Sequence, residues 1–128
     1  LSAENVNIMG VPYVRQMVWY IDSPVGQDDD EQGPVYYADK DYVPVGLHVM
    51  VRRVPDSGDL SFDLRDDGVS FLSRQAKLAK STLTEEAADE FPSSPGTIKL
   101  GSLISLPLST AGAKGVTIQL ELEAVDDD

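Results

Sequence analysis

The sequence contains no cysteine and a single histidine, His48. The missing thiols exclude disulfides, thiolate metal sites and cysteine nucleophiles together. One imidazole cannot build a His-pair metal site, and no Gly-x-Ser-x-Gly turn offers it an activated serine. Glycine-rich motifs that cradle phosphates are missing as well. No apolar run approaches the length of a membrane-spanning helix, and the first residues lack the basic and apolar stretches of a secretory leader. The chain opens on Leu1 rather than Met, which points to a processed or trimmed terminus.

Positive charge is scarce. Ten Lys and Arg face 22 Asp and Glu, for a net charge of −12. Such a surface repels phosphate backbones and anionic lipid headgroups, so neither a nucleic acid nor a membrane is the expected partner. The simpler reading of the charge is solubility at high local concentration. The sharper one is a face shaped to meet a basic partner. The 41% hydrophobic and 25% charged content lies within the range of globular chains. With 128 residues the chain makes one domain, burying about two-thirds of its unfolded surface, which suffices for a core without metals or disulfides.

What is present is the alternation of β-strands. Leu60, Phe62 and Leu64 point one way and Ser61, Asp63 and Arg65 the other, followed by an Asp66-Asp67-Gly68 turn and Val69-Ser70-Phe71-Leu72. Gly68 supplies the positive φ that a tight hairpin needs. Residues 11–21 read as a strand with Met17, Trp19 and Ile21 on one face and Val18 and Tyr20 on the other, so its Trp19 end is expected to be buried on both sides. Short strands are also expected at residues 35–37 and 47–54, then at 102–108 and 116–123. In the last, Val116, Ile118, Leu120 and Leu122 face inward. The Thr84-Glu85-Glu86 start predicts one short helix over residues 85–90, ended by Phe91-Pro92. Regularly spaced strands and turns on one domain predict an all-β, antiparallel sandwich or jelly roll. Residues 1–10 read as an N-terminal arm, 11–123 as the single sandwich domain and 124–128 as an acidic tail.

Candidate chemistry is thin, and no catalytic residue, metal ligand or cofactor site is assigned. His48 reads as a partly exposed strand histidine. The run Asp28-Asp29-Asp30-Glu31 could hold Ca²⁺ or dock a partner, but lacks the spacing of a calcium loop and reads as solvated. Paired-acid glycoside hydrolysis needs an aromatic-lined cleft in a larger scaffold, so an enzyme is not expected. Trp19, Tyr20, Tyr36, Tyr37 and Tyr42 could form a sugar-stacking platform; filling the core and a subunit interface is the favoured reading.

The segment from Asp59 to Leu72, followed by Leu78, Phe91-Pro92, Leu100-Gly101-Ser102-Leu103-Ile104 and Gly115-Val116-Thr117-Ile118-Gln119-Leu120-Glu121, resembles a pattern in tailed-bacteriophage virion proteins. There an Asp-hydrophobic strand meets an Asp-Gly or Asn-Gly turn, and a Gly-Ser-hydrophobic strand precedes a closing Leu/Val-Thr-Val-Gln-Leu strand. The match covers about residues 45 to 123. The resemblance implies a non-enzymatic structural protein in the virion, decorating or stabilising capsid or tail through contacts with other virion proteins. It also implies a homo-oligomer, expected to be a trimer, with Trp19, Tyr36, Tyr37 and Tyr42 as interface candidates. The alternative is a carbohydrate- or receptor-binding module using the loops between Asp22 and Tyr42. This chain departs from the pattern in its acidity and in the Ala-Lys-Glu segment from Ala76 to Glu90.

Overall fold

The computed structural model describes residues 13–22, 30–86, 91 and 96–125. The arm over residues 1–10, the acids Asp28 and Asp29, and Asp126 to Asp128 of the tail lie outside the described residues. Among those described, the regular structure is entirely β: β1 (Val14–Ile21), β2 (Tyr36–Tyr37), β3 (Tyr42–Met50), β4 (Leu60–Phe62), β5 (Arg65–Asp66), β6 (Val69–Ser70), β7 (Ala76–Leu78), β8 (Thr84–Glu86), β9 (Leu103–Ser105), β10 (Leu108–Ser109) and β11 (Val116–Ala124).

A front sheet runs β1-β11-β3-β8, every pair antiparallel. The back of the molecule comprises β10-β4-β7 and β2-β9-β5-β6. These two groups share their chain runs. β4 and β5 are halves of residues 60–66, and β9 and β10 are halves of 103–109. The Asp63 N–H donates to the Pro107 carbonyl across the break, and Phe71 N–H to Leu64. Pro107, with no N–H to give, sits where the ladder is interrupted. Residues 30–32 extend β2 alongside, through Gln32 N–H to Leu106 and Leu108 N–H to Asp30. Counted as runs, the described residues make eight strands, ordered 1-8-3-6 in front and 2-7-4-5 behind. That interleaving, two Greek keys rolled together, is the jelly roll.

The core lies between the sheets. In β11 every second residue is buried, and Val116, Ile118, Leu120 and Leu122 are fully enclosed. Met17, Trp19, Leu47 and Val49 join them from β1 and β3, opposite Leu60, Phe62, Leu64, Leu78, Ile104, Leu106 and Leu108. Removing each such side chain from water stabilises the fold by roughly 1.5–3 kcal/mol. The outer face of the front sheet is open: Val18 is half-buried and Tyr20 exposed. Burial of β1 on both sides, expected from its sequence, is therefore corrected, because nothing described packs over that face at Tyr20.

Three local findings also depart from the sequence reading. Instead of a helix beginning at Glu85, Thr84–Glu86 is an edge strand, pairing Thr84 with Met50, Glu85 with Val49 and Glu86 with His48; residues 87–90 lie outside the described residues. A six-residue helix barely recovers its nucleation cost, whereas a ready sheet edge offers hydrogen bonds at once. β3 starts at Tyr42, five residues before expected, because Pro44 falls at a bulge: Gly46 opposes Glu121 and Pro44 opposes Leu122, leaving Val45 over. Ala124 belongs to β11 rather than to the tail. The hairpin turn holds as expected, with Gly68 at φ 86° and Asp67 also left-handed at φ 50°, the pair of positive angles a type I′ turn requires.

Phe62→Ala is expected to lower unfolding free energy by about 3–5 kcal/mol, through lost burial and a residual cavity. Val69→Ala, on the exposed hairpin, should change it by less than about 0.5 kcal/mol. Urea denaturation of both variants checks the contrast.

Candidate interaction surface

The edge strands β1 and β2 meet where the two sheets come together, and side chains close the seam. Trp19 projects inward from β1 and donates its Nε1–H to the Pro34 carbonyl at 2.8 Å. The Tyr36 ring meets it edge-on, centroids 5.0 Å apart and planes at 88°, and its hydroxyl donates to the Val18 carbonyl. Arg15 donates from Nη1 to Asp39 at 2.7 Å and to the Tyr37 carbonyl at 3.0 Å. The Tyr42 hydroxyl donates to the same Asp39 oxygen at 2.6 Å.

This knot sets two ionisations. Burial alone would raise the Asp39 carboxyl, but the Tyr42 hydroxyl and the Arg15 guanidinium outweigh it and hold the group below its ordinary value of 3.8. Burial, and then the bond to and charge of Asp39, push the Tyr42 phenol up.

The four aromatic interface candidates therefore part company. Trp19 and Tyr42 are fully buried, which removes them from any surface the folded chain offers. Their polar tips find partners inside, as buried Trp and Tyr require. Tyr36 is half-buried against Trp19. Tyr37 is 57% exposed. The platform of Trp19, Tyr20, Tyr36, Tyr37 and Tyr42 is not assembled, since Tyr20 lies outside the front sheet and Tyr37 outside the back one.

Tyr37 is paired with Leu103 across β2 and β9, so the two side chains share the outer face of the back sheet. Val35 lies two residues before Tyr37 on the same face, and Leu100 occupies the adjoining turn. All four are about half exposed or more. Together they present on the order of 400 Å² of apolar surface, a size often functional on a monomer. Acids are fixed at its margin by backbone bonds. Asp41 accepts from Leu100 N–H at 2.8 Å and Asp67 from Leu103 N–H at 2.9 Å. Residues 37 and 103 are brought together only by long-range pairing, which no local pattern announces.

Elsewhere the polar groups hold one another. His48 Nε2 lies 3.0 Å from Glu121 Oε1 on the outer front face. Glu121 crosses Gly46, where a Cβ would come within 3.2 Å of the carboxylate carbon. Glu31 accepts from the Ser105 hydroxyl at 2.7 Å, which ties one end of the acidic run to the back sheet. Among the described residues no three His, Cys, Asp or Glu are grouped to hold a metal ion. No protein-family model matches the chain, and no curated protein matches it.

Asp39→Ala leaves the enclosed Tyr42 hydroxyl without its acceptor, so a loss of about 1–3 kcal/mol is expected at pH 7. Because the folded carboxyl titrates below the unfolded one, its contribution is complete above pH 3.8 and fades as pH falls through the folded value. The gap between wild type and variant in thermal melts should narrow accordingly. At the alkaline end the sign reverses: the unfolded phenol ionises first, near its ordinary value of 10.0, so stability falls above that pH, and Tyr42→Phe should flatten the slope.

Proposed function

We propose that this chain is a non-enzymatic structural component of a tailed-bacteriophage virion, decorating or stabilising the capsid or tail through protein–protein contacts. The observation that carries the reading is the apolar patch of Val35, Tyr37, Leu100 and Leu103 on the outer face of a rigid jelly roll. A packed sandwich with an uncovered apolar face suits a part whose work is adhesion to neighbours. The resemblance of residues 45 to 123 to virion proteins points the same way. So does the use of jelly rolls in viral shells, by fold-level analogy.

The margin acids define the neighbour. Asp41 and Asp67 beside the patch, on a chain of net charge −12, favour a virion surface that sets Lys or Arg around an apolar centre. Copies of the chain assemble beside one another as a trimer, since one contact repeated about an axis closes a ring. The patch faces the particle.

The test uses particles of the phage that encodes the chain. Mass spectrometry of gradient-purified virions should detect the protein, and purified protein should co-sediment with particles lacking it. Native mass measurement should return three times the chain mass. Tyr37→Ser combined with Leu103→Ser should weaken particle binding by about tenfold or more, since anchors at a patch centre contribute over 1.4 kcal/mol. Absence of the chain from purified virions would sink the reading.

A further inference from the structure

A cleft of about 210 Å³ opens between the β5–β6 hairpin and the stretch where residues 96–98 run past β3. Its floor is apolar and fixed. Pro44 and Ile98 are buried there, and Ile98 is held by reciprocal backbone bonds with Tyr42 at 2.7 and 2.8 Å. Phe71, half-buried against the core, supplies an aromatic wall. Val69 stands at the lip, 69% exposed. Polar residues line it from two sides: Asp66, which shares the hairpin face of Val69 through their pairing, and Thr97. Ser70 contributes its backbone, because its hydroxyl lies with Arg65 on the opposite face of the hairpin and donates to Asp63 at 2.7 Å.

We infer that this cleft is a binding site for a single neutral hexopyranose ring. The volume suits a single ring, since it lies below the roughly 300–1,000 Å³ of drug-sized sites. The lining matches the two sides of a pyranose, an apolar C–H face for Phe71 and Val69 and hydroxyl donors for Asp66. The electrostatics select among sugars. Asp66 at the rim and a chain charge of −12 oppose glucuronates and sugar phosphates. Both walls are pre-formed by backbone pairing, so little ordering accompanies binding. The site lies outside the loops between Asp22 and Tyr42, where the sequence placed a recognition surface. It is separate from the patch around Tyr37, so binding here does not depend on how the chain docks to a particle.

The affinity follows from size. Twelve non-hydrogen atoms at about 0.3 kcal/mol each give a Kd of a few millimolar. Amide NMR of the full ¹⁵N-labelled chain, titrated with glucose, galactose, mannose and N-acetylglucosamine, reads it directly. Saturable shifts at Asp66, Val69, Ser70, Phe71 and Thr97 are expected with at least one ring. Asp66→Ala should weaken that ring about tenfold or more, as a bond to a charged acceptor requires. Phe71→Leu keeps an apolar side chain but removes the aromatic face, and should weaken it roughly two- to tenfold. Glucuronate and glucose-6-phosphate should produce no saturation. The inference is overturned if none of the four rings shifts those amides up to about 100 mM, a concentration far above the Kd expected from size. Shifts that map elsewhere, or both folded variants binding like wild type, overturn it equally, and anions that saturate as tightly as neutral rings overturn the charge selection.

Discussion

The structure depends on the central placement of β11. Val116, Ile118, Leu120 and Leu122 fill the core from one face of that strand, while its backbone is paired on both sides, to β1 and to β3. A slip of one residue would send every buried side chain to solvent. Register in the front sheet is thus dictated by burial, and one irregularity is absorbed at Val45. There the extra residue is accommodated at Pro44, and Gly46 leaves room for Glu121 to lie across the strand toward His48.

The back sheet solves a different problem. Its long runs break at Asp63–Leu64 and Leu106–Pro107, so each half can follow the curvature of the core while single backbone bonds carry the pairing across. The hairpin at Asp67-Gly68 ends one run and also reaches sideways, because Asp67 both donates to and accepts from the Leu103 backbone. The same turn therefore steadies the apolar patch on one side and the cleft on the other.

Much of this was legible wherever the signal is local. The alternation of residues 116–123 and the Asp-Asp-Gly turn could be read directly, since period and positive φ are encoded in neighbouring residues. The short strands Ala76–Leu78 and Thr84–Glu86 could not, because three residues carry no period and their Ala, Lys and Glu favour helix. Charge and resemblance pointed to a surface without locating it. Along the chain Tyr37 reads like Trp19 and Tyr42, and only tertiary pairing separates an exposed tyrosine from two enclosed rings. The cleft draws on residues near 44, 66–71 and 96–98, and no reading along the chain places those three stretches together.

The seam between β1 and β2 has a further consequence. Carbonyls of Val18, Pro34 and Tyr37 are occupied by Tyr36, Trp19 and Arg15, so acceptors that a foreign strand would need are already taken. Open-ended growth by strand addition is thereby disfavoured at this border. The border between β1 and β2 is thus closed by side chains rather than left open for strand addition.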